Sequence, residues 1–239
     1  ELEARHKENV FESKLRFFTD VANEFSTPLT LIYGPCGQIL SEKGISRPVS
    51  GYARMIQTNA RRLDSLIHEL IEFRHIETGN REARIEAVDM SSTLNDIAST
   101  FEEMAKSRGI SFGRAVPSGL EWNTDKGFIC TTVTNLISYA FRHTPSGESI
   151  FMDVRQDAGA MLYIGITSTG TDIQDEDLHH VFNRYAALDN IGNGEGTDFP
   201  RSGLGLAIAH NMVRLLGGTL DARKSDAGGG NIGSVPAGG

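Results

Sequence analysis

FESKLRFFTDVANEFSTPLTLIYGPCGQI (Phe11–Ile39) carries apolar residues at Phe11, Leu15, Phe18, Ala22, Phe25, Leu29, Ile32, Cys36 and Ile39. The steps alternate between four and three, which is the seam of a helix that packs along a partner helix. Gly44 and Pro48 then interrupt the pattern and predict a loop over 41–48. A second seam follows at Tyr52, Ile56, Asn59, Leu63, Leu66, Leu70 and Phe73 and stops at Gly79. Two long helices joined by a short loop predict an antiparallel hairpin. A lone hairpin leaves much apolar surface uncovered, so two of them are expected to pair as a homodimer with a four-helix bundle. Pro28 is expected to bend the first helix, because it removes a backbone donor and crowds the preceding turn. Asn59 either fixes register or sits at an exposed edge.

Composition bounds the rest. With 239 residues, 39% of them apolar and 23% charged, the chain can build two modest globular domains. A formal charge of -8 argues against a nucleic-acid surface or a polybasic membrane patch. Cys36 and Cys130 read as small core residues of a reducing compartment, not as a disulfide or metal pair. No apolar run of about 18 residues occurs. The opening ELEARHKENV is charged and helix-like, unlike a signal peptide, and starts in mid-pattern as a piece of a larger protein would.

After Gly79 the periodicity changes. Met90–Arg108 predicts an amphipathic helix and Ile110–Ala115 a short strand. Gly127–His143 predicts a helix, and Ser149–Arg155 and Met161–Ser168 two strands around the turn at Asp157–Gly159. Asp175–Arg184 and Ser202–Leu216 predict further helices. This mixture implies an α+β domain with helices packed on one face of a sheet. The expected division is 1–82 for the hairpin and 83–239 for the sandwich. The glycine-rich tail GGGNIGSVPAGG offers no recognisable strand.

Several motifs, in order, resemble the transmitter module of sensor histidine kinases. FFTDVANEFSTPLTLI (Phe17–Ile32) is similar to the phosphoacceptor box, and LIHELIEFRHIETG (Leu66–Gly79) to the end of the second hairpin helix. NLISYAFRHTP (Asn135–Pro145) resembles the asparagine box, and ITSTGTDI (Ile166–Ile173) the first glycine box. VFNRY (Val181–Tyr185) resembles the phenylalanine box, and RSGLGLAIAHNMVRLLGG (Arg201–Gly218) the second glycine box. The resemblance implies a dimerising hairpin followed by the α/β sandwich shared with gyrase and heat-shock chaperone ATPases, with ATP and Mg²⁺ as the family's cofactors. The style of the first box is also similar to hybrid sensors of Bacteroides-type bacteria.

Carried over residue by residue, the resemblance breaks at the chemistry. The family's acceptor histidine falls on Asn23, whose delocalised carboxamide nitrogen is not a useful nucleophile. Glu24, the implied general base, then has nothing to deprotonate, and Ser26 stands where an arginine is common. In the asparagine box Asn135 is kept as the one remaining metal ligand, but the second falls on Tyr139, a weakly coordinating and bulky phenol. Arg142 stands where a phosphate-contacting lysine is usual. In the first glycine box the aspartate that would hold the adenine amino group is Ser168. Losing that charge-assisted bond costs about 1.5–3 kcal/mol, or about ten- to a hundredfold in affinity. Gly170 survives, while the next glycine is Asp172, a negative charge near the expected phosphate path. Gly203 and Gly205 are kept, their leading glycine being Arg201.

Simpler readings stand beside these. Asn23 can be a solvated helix residue, His68, His75, His179 and His180 surface residues, and Tyr139 a filler of space. Gly203 and Gly205 serve either tight packing or phosphate contact. Residues 189–200 would form the lid over ATP. Asp172 and Arg201 are opposite charges that could pair across an empty site. The sequence thus reads as the cytoplasmic transmitter region of a membrane-anchored sensor homologue that has lost autophosphorylation, binds nucleotide weakly or not at all, and signals by conformational coupling. A receiver domain or another sensor kinase is the expected partner. The alternative is an active kinase that phosphorylates a partner in trans. A chaperone-type ATPase is disfavoured by the hairpin and the phenylalanine box.

Overall fold

The computed structural model describes residues 28–42, 44–78, 81–157, 161–170, 204–225 and 229–232, together with Ser13, Phe25 and Phe182. Two compact units result, with the break after Thr78.

The first unit is helical. Helix α1 (28–41) and helix α2 (Arg47–Glu77) are joined through Gly44, whose φ of 86° suits a residue without Cβ. Pro48 lies in the first turn of α2, where its missing N–H costs nothing. The neighbours on the N-terminal side of Pro28, where the expected bend would show, lie outside the described residues. Leu29 and Cys36 on α1 are buried, as are Ala53, Ala60, Ile67, Leu70, Phe73 and Ile76 on α2. This stripe repeats every seven residues through Ala53, Ala60 and Ile67 and is offset from the seam read in the sequence. Of that seam Leu70 and Phe73 are buried, while Tyr52, Ile56 and Leu63 remain exposed, with Ile32 and Ile39 of α1. Asn59 is exposed and donates to the Met55 carbonyl at 2.8 Å, so it acts locally within its own chain. Arg61 of α2 donates through Nε to the hydroxyl of Tyr33 on α1 at 3.0 Å.

The second unit is α+β, as its mixture of elements predicts. Strand β1 (Glu86–Asp89) leads into α3 (Met90–Ser99) and α4 (Glu102–Arg108), then β2 (Ser111–Ala115) and β3 (Glu121–Thr124). Helix α5 (Lys126–His143), β4 (Ser149–Gln156), β5 (Leu162–Ser168), α6 (Leu204–Leu215), β6 (Ala222–Ser225) and β7 (Gly229–Ile232) complete it. β1 pairs antiparallel with β3, and a five-stranded sheet runs β2-β4-β5-β7-β6. Only β2 against β4 is parallel within that sheet; the other pairs are antiparallel.

Three features depart from the sequence reading. The single helix expected over Met90–Arg108 is two, parted at Thr100–Phe101. Strands β1, β3 and β6 were not foreseen. The tail does hold a strand, since β7 pairs its residues Ile232 and Asn231 with Ile166 and Thr167 of β5. The helix expected over Asp175–Arg184 lies outside the described residues apart from Phe182.

The core lies between α3, α5, α6 and the sheet. Met90, Leu94 and Ala98 of α3, Phe128, Ile129, Val133, Leu136 and Ile137 of α5, and Ile150, Met152, Ile164 and Ile166 of the strands are all essentially sealed from solvent. Phe141 is fully buried between Phe101, stacked with centroids 5.6 Å apart, and Phe112, met edge-on at 5.4 Å. Such aromatic pairs add about 0.5–1.5 kcal/mol each beyond area burial.

Candidate nucleotide-type site

Helix α5 carries the asparagine-box residues, so what fixes α5 fixes the site. At its start Asp125 is the N-cap: Oδ1 accepts from the Phe128 amide at 2.9 Å and Oδ2 from the Arg84 amide at 2.8 Å. This satisfies an otherwise orphaned helix donor inside the protein. At its end Arg108 reaches across from α4. Its guanidinium donates to the carbonyls of Phe141 and Thr144, the latter at 3.3 Å, and puts a positive charge at the negative end of the helix dipole.

Asn135, Tyr139 and Arg142 follow at steps of four and three, so they share one helix face. None is fully buried. The Asn135 carboxamide sits against the start of α6: a Cβ built on Gly205 would lie 3.1 Å from its Oδ1 and 3.2 Å from its Cγ. Gly205 is thus closely packed by Asn135, so a larger residue there would crowd that side chain. The Tyr139 ring lies against His143, with centroids 4.3 Å apart and planes at 40°. His143 keeps more than a third of its surface in solvent, yet partial burial, and then the neighbouring Arg142 charge, hold its pKa below the usual imidazole value.

At the far end of β5, Ser168 is buried and pairs with Ile150 of β4. Thr169 ties this end down. Its amide donates to the Ser149 carbonyl at 2.9 Å, its hydroxyl donates to Glu148 Oε2 at 2.6 Å and accepts from the Ser149 amide at 2.9 Å. Gly170 has φ 68°, and a Cβ there would fall 2.5 Å from Glu148 Cγ. A residue with a Cβ would be strained by that left-handed backbone and would have to displace the Glu148 side chain, whether or not a ligand is present.

Asn23, Glu24, Asp172, Arg201 and Gly203 lie outside the described residues, as do His179, His180 and 189–200. The described candidates Asn135, Tyr139, Arg142, Ser168, Gly170 and Gly205 all fall within the second unit, on α5, the end of β5 and the start of α6. Arg108, Glu148 and Thr169 escaped sequence reasoning, because a capping guanidinium 33 residues from its carbonyl leaves no local spacing signal. Cys36 is buried and Cys130 half-buried, and both are free thiols. Burial, outweighing the opposing Lys126 charge, pushes the Cys130 thiol up, away from reactive thiolate.

Residues 124–235 match the family described as histidine kinase-, DNA gyrase B- and HSP90-like ATPases. This chain is a sensor histidine kinase transmitter module. Histidine kinase P4 of Formosa agariphila is 32% identical to it over 92% of the chain and 16% of that protein. Hybrid signal transduction histidine kinase D of Dictyostelium discoideum is 30% identical over 91% of the chain and 14% of that protein. The module therefore spans less than a fifth of these two relatives. Among solved structures, full-length ShkA in complex with AMPPNP superimposes with a TM-score of 0.74 at 20% identity, covering 94% of this chain and 46% of that one. ThkA in complex with the response regulator TrrA gives 0.61 at 17% identity, over 98% of the chain and 66% of that one. At such identities these likenesses speak for the fold.

The family implies ATP with Mg²⁺, and among the described residues the asparagine-box face of α5 offers that ion few ligands. Mg²⁺ takes hard oxygen ligands in a near-octahedral shell. On the asparagine-box face of α5 the described residues offer one carboxamide, already packed on Gly205, and one phenol lying against an imidazole. No group of three or more His, Cys, Asp or Glu side chains comes together among the described residues. No helix among them is long and apolar enough to cross a membrane.

Proposed function

We propose that this transmitter module has lost autophosphorylation and relays signals by conformational coupling through a dimeric helical hairpin. The observation that carries the reading is Tyr139, whose ring packs on His143 one turn after Asn135, where active relatives are expected to present a second carboxamide. Two further features support it. Asn23 replaces the acceptor histidine, and Ser168 replaces the carboxylate expected beneath the purine. No catalytic step is assigned to Glu24, and Asn135 is the one residue that could still touch a metal.

Dimerisation is supported by the unpaired apolar stripe of Tyr52, Ile56 and Leu63 on α2 with Ile32 and Ile39 on α1. A second copy would bury it and complete a four-helix bundle. The parent protein is read as a membrane-anchored sensor with this region in the cytoplasm, coupled to a receiver domain or to another sensor kinase.

The test is incubation with γ-labelled ATP and Mg²⁺, alone and with a histidine-bearing hairpin from an active sensor kinase. The reading expects no label on either polypeptide above background. Label on the partner hairpin would instead establish a kinase acting in trans through Asn135, Arg142 and Gly205.

A further inference from the structure

His68 projects from α2 with its side chain 71% exposed, one turn after Asp64. Its Nδ1 lies 2.8 Å from the Asp64 backbone carbonyl oxygen and 3.5 Å from Asp64 Oδ2. A carbonyl oxygen only accepts, so Nδ1 must carry the hydrogen of that bond. In the neutral ring the other nitrogen, Nε2, then holds the free lone pair. His68 is thereby a nucleophile with its tautomer fixed, its reactive nitrogen in a solvent-exposed ring, and a carboxylate behind the opposite nitrogen. The ring of His75, seven residues on along the same helix, has no hydrogen-bond partner among the described residues, so nothing selects its tautomer.

From this geometry we infer that His68 Nε2 is a phosphoryl-acceptor site, charged by donors of the phosphoramidate class. In the transfer the Nε2 lone pair attacks phosphorus and a P–N bond to Nε2 forms. The donor's P–N bond breaks, and its nitrogen leaves with the electron pair and a proton. The ring that results carries positive charge, which the Asp64 carboxylate stabilises until Nδ1 releases its proton. A phosphohistidine on a partner protein is itself a phosphoramidate, so the site could be loaded without ATP binding to this chain. The inference stands apart from the loss of autophosphorylation, because its donor is not a nucleotide.

The experiment treats the chain with potassium phosphoramidate at neutral pH and maps phosphate by trypsin digestion and mass spectrometry under non-acidic conditions. Cleavage after Arg62 and Arg74 isolates the segment LDSLIHELIEFR, in which His68 is the sole histidine, while His75 falls in the next peptide. Phosphate is expected on the 63–74 peptide well before the peptide carrying His75, with the ³¹P signature of an Nε2 adduct, and none on that peptide in H68Q. D64N, with helicity checked by circular dichroism, should slow loading of His68 measurably and leave His75 unchanged. Equal loading of His68 and His75, an Nδ1 adduct, or a D64N rate equal to wild type would overturn the assignment.

Discussion

The carboxamide oxygen of Asn135 lies 3.1 Å from the point that a Cβ on Gly205 would occupy, so any larger residue at this meeting of α5 and α6 obliges the Asn135 side chain to give way. Elsewhere in a helix Gly→Ala gains about 0.5–1 kcal/mol of stability. Here G205A is expected to lose about 1 kcal/mol or more, because the added methyl crowds a packed neighbour. Truncating the neighbour relieves the crowding, so N135A with G205A should cost less than the sum of the two changes. Urea unfolding of the four proteins reads this; strict additivity would show that the two side chains do not interact.

Arg108 caps the other end of the same helix. R108Q removes the charge from the Phe141 and Thr144 carbonyls and is expected to cost about 1.5–3 kcal/mol, the range for hydrogen bonds to a charged group. R108K should recover part of this. Equal stability of R108Q and wild type in denaturant would remove Arg108 from the account of how α5 is held.

His143 makes stability depend on pH. Its pKa is depressed in the fold, first by burial and then by Arg142, below the unfolded value of 6.5. The unfolded chain therefore binds more protons between the two values. The contribution is fully present above pH 6.5 and is lost as pH falls through the folded pKa. H143F should flatten the fall of the denaturation midpoint between about pH 7 and 5 relative to wild type. An unchanged slope would place the titration elsewhere.

The exposed stripe on the hairpin gives a prediction about assembly. I56E with L63E places two charges in the apolar stripe of each protomer, which a bundle core would not tolerate unpaired. Sedimentation should find wild type dimeric and the double variant monomeric with unchanged helicity. A monomeric wild type at micromolar concentration would remove dimerisation from the proposal.

The sequence announced its helices through periodicity, and α2, α5 and α6 lie close to where apolar spacing placed them. It announced β4 and β5 through β-branched and aromatic runs bounded by turn residues. It hid β1, β3 and β6, four-residue strands whose pairing is decided by tertiary contact, and β7, whose two glycines read as a breaker. The motifs brought the described candidates to one unit, but motif positions did not reveal what each side chain does. That Gly170 is needed beside Glu148, and Gly205 beside Asn135, depends on residues 22 and 70 positions away. Exposure of Tyr52, Ile56 and Leu63 was equally invisible, because a helix with two apolar stripes gives a single blurred period.

The proposed loss of nucleotide binding can be tested by reversing it. Y139N with S168D restores a hard oxygen ligand and a purine-amine acceptor. ATP affinity should rise about ten- to a hundredfold over wild type, the value of one charge-assisted hydrogen bond. Identical affinity in both proteins would mean that these two positions do not limit binding.

The central claim is that this transmitter module no longer grips magnesium–ATP, and a calorimetric titration of the wild-type chain with ATP and Mg²⁺ tests it most directly. The account predicts no saturable heat up to about 1 mM nucleotide. Saturation with a Kd of about 1 μM that disappears when Mg²⁺ is chelated would contradict it.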